Sequence, residues 1–141
     1  MNYCMGDNKV TKEYYEKEIK KRDEIISILY RWLYLTQKNR SLEKYFIQKK
    51  YYKIAIYGAG MIGEMLSMSL KNSEVEVKYL IDIDAKNKYL PDKVIHPHEP
   101  MDEVDIIIIT TVGDVAYEIK GELEKRIDVP ILLMKDILKE V

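Results

Sequence analysis

The chain has 141 residues, room for one domain and an extension, and at that size folding buries about two-thirds of the unfolded surface. A single cysteine, Cys4, excludes an internal disulfide framework and a cysteine-based metal site, and it points to a reducing compartment. The net charge of −1 hides a split: residues 1–53 carry thirteen Lys and Arg against seven Asp and Glu (+6), residues 54–141 ten against seventeen (−7). Two units are implied, and the acidic second one argues against nucleic acid as its ligand.

The first residues lack the apolar core of a signal peptide, and no stretch approaches eighteen consecutive apolar residues. A cytoplasmic chain with no transmembrane segment is predicted. Residues 1–10 read as a disordered N-terminus. From Thr11, a plausible N-cap, to about Asn39 the pattern is helical. Tyr15, Ile19, Arg22, Ile26, Leu29 and Leu33 recur at alternating spacings of four and three, and Ile25, Ile28, Trp32 and Leu35 widen the stripe. Such a helix needs a partner surface. Either the back of the following domain or a second copy of the helix would serve, and a homodimer through helix 12–38, or a partner protein, is expected. Ser41 then caps a short helix over Leu42–Lys49, which closes an amphipathic extension spanning 11–50. Tyr45 and Lys49 show the Y-x-x-x-K spacing of a dehydrogenase pair. They precede the glycine turn instead of lying far downstream of it, so they read as neighbours on one helix face.

Residues 51–141 carry the main signal. The run K-I-A-I-Y-G-A-G-M-I-G, Lys53 to Gly63, is a short apolar strand, a glycine triplet (Gly58, Gly60, Gly63) at G-x-G-x-x-G spacing, and the start of an apolar helix over Met61–Leu70. This is the dinucleotide-binding fingerprint in its expected setting. Gly58 would permit the tight turn, Gly60 the approach of a pyrophosphate, and Gly63 close packing of helix on strand. Phosphates would sit on the free N–H groups of the helix start, around Ala59, Met61 and Ile62. A second strand, Val75–Ile81, ends in Asp82, nineteen residues after Gly63, where a carboxylate would accept an adenosine ribose and prefer NAD over NADP by charge. Lys86 could soften that preference.

The polar stretch Ala85–Lys93 has no room for a long helix, so Val94–Ile95 can form only a brief third strand. His96-Pro97-His98-Glu99-Pro100 reads as a surface loop and not a metal site. Val104–Thr110, with four consecutive isoleucines, is a strand buried on both faces. At its carboxyl end, Thr110, Thr111 and Gly113 lie next to the glycine turn across the point where strand order reverses, which makes them further candidate ligand contacts. Asp114–Arg126 reads as a helix with Ala116, Ile119 and Leu123 inward, followed by strand Ile131–Met134 and helix Lys135–Val141. The whole predicts an α/β fold: a Rossmann-like, doubly wound, parallel five-stranded sheet in order 3-2-1-4-5 with an N-terminal helical extension.

The segments K-I-A-I-Y-G-A-G-M-I-G, V-K-Y-L-I-D and V-D-I-I-I-I-T-T resemble Rossmann-like domains of bacterial surface-polysaccharide biosynthesis. They are similar to the N-terminal nucleotide-binding portion of nucleotide-sugar epimerase/dehydratases and to the N-terminal domain of sugar acetyltransferases. The resemblance implies a nucleotide or nucleotide-sugar ligand, with Gly58, Gly60, Gly63 and Asp82 as contacts. It transfers no catalytic residue: the second catalytic domain of the first group and the hexapeptide β-helix of the second have no counterpart in this sequence. Three functions follow. One is a nucleotide-binding module (NAD or nucleotide-sugar) of a glycan system, another a ligand-sensing scaffold dimerising through its helix, and the last a small dehydrogenase or epimerase with a site shared across a dimer.

Overall fold

The structure is a computed structural model that describes residues 5–141. Its elements are α1 (Met5–Gln37), α2 (Leu42–Gln48), β1 (Lys53–Tyr57), α3 (Met61–Ser69), β2 (Glu76–Ile81), a single 3-10 turn (Ala85–Asn87), β3 (Val94–Ile95), β4 (Ile106–Ile109), α4 (Asp114–Arg126), β5 (Ile131–Leu133) and α5 (Met134–Glu140). The strands form one all-parallel sheet in the order β3-β2-β1-β4-β5, as the alternation of strands and helices predicts.

β1 lies at the centre because both its edges are used. Ala55, Ile56 and Tyr57 pair with Tyr79, Leu80 and Ile81 on one side and with Ile107, Ile108 and Ile109 on the other. Side-chain alternation along the strands then builds two cores. Ile54, Ile56, Leu80, Ile106 and Ile108 face α3, α5, α2 and part of α1. Ala55, Tyr57, Tyr79, Ile81, Ile107 and Ile109 face α4 through Ala116 and Leu123. The isoleucine run is thus buried on both faces, which is why its sequence shows no polar alternation. The amino end of β1 is pinned by Asp105, whose carboxylate accepts the N–H groups of Tyr52 and Lys53, both at 2.9 Å.

The extension differs from expectation in two respects. α1 begins at Met5, inside the stretch expected to be disordered, so Thr11 lies within the helix and does not cap it. No proline interrupts residues 5–11, and a polar composition alone does not stop a helix. Residues 1–4, with Cys4, lie outside the described residues. The second difference concerns the face that packs. Ile28 and Leu35 are buried against the domain, with Ile25 and Trp32 beside them, whereas Ile19, Ile26, Leu29 and Leu33 of the main stripe are exposed. Ser41 caps α2 as predicted, its Oγ accepting from Lys44 N–H at 3.2 Å.

Candidate functional site

The glycine turn joins β1 to α3 at the carboxyl end of the sheet. Gly58 has φ +107°, a conformation that L side chains rarely adopt, and a Cβ there would stand 2.6 Å from Thr110 Oγ1. Gly63 is required for a different reason: a Cβ on it would stand 1.9 Å from the Gly58 carbonyl oxygen. The missing side chain lets α3 rest directly on the turn. Gly60 is required for neither reason. Its backbone is extended (φ −90°, ψ −160°), and a Cβ would meet nothing within 4 Å.

Neighbouring strands hold the turn from both sides. Gly58 N–H donates to Ile81 O at 2.7 Å, and Ala59 N–H donates to Asp82 Oδ2 at 2.9 Å. The other Asp82 oxygen accepts from Asp84 N–H at 2.8 Å. From the far side, the buried Thr110 hydroxyl reaches Tyr57 O at 2.9 Å and Gly58 O at 3.2 Å. The first helical bond of α3 runs from Glu64 N–H to Gly60 O, and no side chain caps the helix. The N–H groups of Met61, Ile62 and Gly63 therefore lack an intrahelical acceptor, at the positive end of the helix dipole.

A cleft of about 320 Å³ opens over this helix start, walled by Gly58, Gly60, Gly63, Asp82, Thr110 and Thr111, with Met61, Ile62, Val112 and Val115 as its apolar lining. Two cations that the motif does not contain complete it, Lys21 and Lys88, together with Ile25. Lys21 comes from α1, and its ammonium also meets Glu18 at 3.3 Å. One turn further along α1, Glu24 accepts the Gly113 N–H at 2.8 Å and pairs with Lys135 at 3.3 Å. The contacts of Lys135 with Tyr117 and then Glu24 raise its pKa above the ordinary lysine value, against a smaller lowering by burial. α1 is thereby fastened to the N-terminus of α4 at the rim of the cleft.

Eight of the ten predicted contacts are brought together: Gly58, Gly60, Met61, Ile62, Gly63, Asp82, Thr110 and Thr111. Ala59 and Gly113 are not among the lining residues, and each gives its N–H to a carboxylate of the chain, Asp82 and Glu24 respectively. Thr110 lines the cleft, but its hydroxyl is spent on the turn, which leaves Thr111 as the threonine there whose hydroxyl no other described residue engages. The basic residue near Asp82 is Lys88; Lys86, suggested by the sequence, does not line the cleft. The sequence holds no local signal for Lys21 or Glu24, because their position depends on how α1 docks.

Two other sequence features lie outside the cleft lining. Tyr45 is buried, donates its hydroxyl to Glu140 at 2.8 Å and lies under Lys49, 5.8 Å from ring centre to ammonium. Burial first, then Glu140, pushes its pKa far up, the opposite of what a catalytic tyrosine needs. His96 and His98 stack at 5.0 Å in their loop, and no group of residues able to hold a metal ion occurs among the described residues. Among them, too, no helix is long and apolar enough to cross a membrane. The chain matches no protein-family model, no curated protein and no solved structure.

Proposed function

We propose that this chain is a nucleotide-binding module, holding NAD or a nucleotide-sugar in the glycine cleft and serving a bacterial surface-glycan or sugar-modifying system. The observation that carries the proposal is Gly60. Gly58 and Gly63 are explained by the fold, but Gly60 has an ordinary backbone and open space where its side chain would be. A glycine at the mouth of a cleft, beside uncapped helix N–H groups, suits close approach of a phosphate. Lys21 and Lys88 would neutralise phosphate charge. Asp82 keeps lone pairs for ribose hydroxyls beyond the two it uses on backbone N–H groups. The resemblance of K-I-A-I-Y-G-A-G-M-I-G and V-K-Y-L-I-D to glycan-biosynthesis domains supports the setting.

The test is a thermal-shift panel of NAD, NADH, NADP, UDP-sugars, coenzyme A and S-adenosylmethionine. At about a hundred times Kd a ligand stabilises the fold by roughly 2.7 kcal/mol, a shift of several degrees for a domain of this size. One compound class should shift the native chain, and Gly60→Val should abolish that shift while leaving the unliganded unfolding temperature close to native. No shift with any compound, or a shift that survives Gly60→Val, overturns the proposal.

A second reading, a ligand-responsive scaffold, is favoured by the tie between Glu24 of α1 and Gly113 at the cleft rim. An occupant drawing on Lys21 would load α1 directly. Hydrogen exchange of the α1 amides should then change on saturation with the compound the panel identifies, and unchanged exchange rejects this reading.

A further inference from the structure

α1 has two apolar faces and uses only one of them on its own domain. Ile28 and Leu35 are buried there. The second face, Tyr15, Ile19, Ile26, Leu29 and Leu33, stays in solvent: Ile26 is 62% exposed and Leu33 59%. With Arg22 it alternates steps of four and three residues, the pattern of a helix-to-helix seam; docking on a globular domain does not require it. Towards its C-terminal end the stripe meets Met65 and Met68 of α3, themselves about half exposed. An apolar groove of about 420 Å³ runs between them, with Trp32 in its lining. The helix is 33 residues long, or about 50 Å, and both of its described buried residues lie in its second half.

We infer that this face docks a second copy of the chain, α1 against α1 in antiparallel orientation, with the groove beside Met65 and Met68 receiving the first half of the other helix. The area is sufficient. A stable interface takes roughly 800 Å² from each partner, and a stripe of large side chains about half exposed, together with two methionines, supplies an area of that order. The place of the groove selects the orientation. The groove lies beside the second half of α1, whereas the first half, with Tyr15 and Ile19 exposed, has no buried residue among those described. Antiparallel packing sets the first half of each helix against the groove of the other copy, with Tyr15 of one copy near Leu33 of the other. Parallel packing would set the two grooves side by side and stack Arg22 on its equivalent, a like-charge layer within the seam.

The experiment is sedimentation equilibrium on the full chain without added ligand, so its outcome is independent of the nucleotide proposal. The native chain should run at twice its 16.7 kDa. The pair Ile26→Glu and Leu33→Glu should return it to monomer mass, and Tyr89→Glu, on a fully solvated loop, should leave the dimer intact. A monomeric native chain overturns the inference. Orientation is read by oxidation in a Cys4→Ser background, which needs no disruptive substitution. Protein carrying Tyr15→Cys and protein carrying Leu33→Cys should cross-link when mixed and not alone. Cross-linking of each alone, with none added on mixing, rejects the antiparallel arrangement.

Discussion

The three glycines of the turn share one motif and should nevertheless behave differently when each is replaced by alanine. In Gly63→Ala the new Cβ would start 1.9 Å from the Gly58 carbonyl oxygen, against an ordinary carbon–oxygen approach of about 3.3 Å. The oxygen belongs to backbone held by Thr110, so α3 must lift by more than ~1 Å. Forcing a packed element apart costs about 1–3 kcal/mol, occasionally more, and here it also loosens Ile62 and Leu66, both buried under α3. We expect a loss of about 3 kcal/mol or more. Gly58→Ala combines a positive φ, of order 1–3 kcal/mol, with a contact of 2.6 Å to Thr110 Oγ1, and a similar loss is expected. Gly60→Ala has neither penalty. Alanine is a poorer N-cap than glycine by up to about 1 kcal/mol, and stiffening the unfolded chain returns about 0.4–1 kcal/mol. The variant should lie within about 1 kcal/mol of native. Urea unfolding measures all three, with stability read from the midpoint at unchanged slope. If Gly60→Ala costs as much as Gly63→Ala, the fold itself needs Gly60 and the proposed function loses its support. If Gly63→Ala is neutral, α3 does not rest on the turn as described.

Two further outcomes follow from the same contacts. Glu24→Ala removes the acceptor of the Gly113 N–H and the partner of Lys135; a lost helix cap of this kind costs about 0.5–2 kcal/mol, to be seen as a lower urea midpoint, whereas Glu24→Gln should recover part of the loss by keeping the hydrogen bond. Stability should also fall in alkali. Burial raises the pKa of Tyr45, Tyr57 and Tyr79 above the ordinary 10.0, and contacts with Tyr117 and Glu24 raise that of Lys135 above 10.5. Each of these groups holds its proton more tightly when folded, so its contribution is complete below the unfolded value and is lost as pH rises through the folded one. The urea midpoint should therefore drop as pH climbs from about 9 to 11. The drop should be smaller in Tyr45→Phe, and an equal drop in that variant would remove Tyr45 from the account.

The sheet and its order were legible from local features. Apolar runs of strand length, four isoleucines without polar alternation, and glycine spacing between strand and helix depend on neighbours within a few residues, and backbone geometry converts them directly into strand, turn and helix. The Gly58–Gly63 turn and Asp82 belong to the same βαβ unit, so most of the cleft could be read as well. What the sequence left open was set by long-range packing. Periodicity showed one broad apolar stripe on α1, but either of its edges could have docked, because both satisfy the helical repeat. The domain surface took Ile28 and Leu35 and left Ile26 and Leu33 in water. That choice of face brought Lys21 to the cleft and Glu24 to the Gly113 N–H, while packing of β2 beside the turn spends the Ala59 N–H on Asp82. Hydrogen-bond partners that lie 23 and 89 residues apart along the chain leave no mark on local pattern; they exist only once the elements are packed.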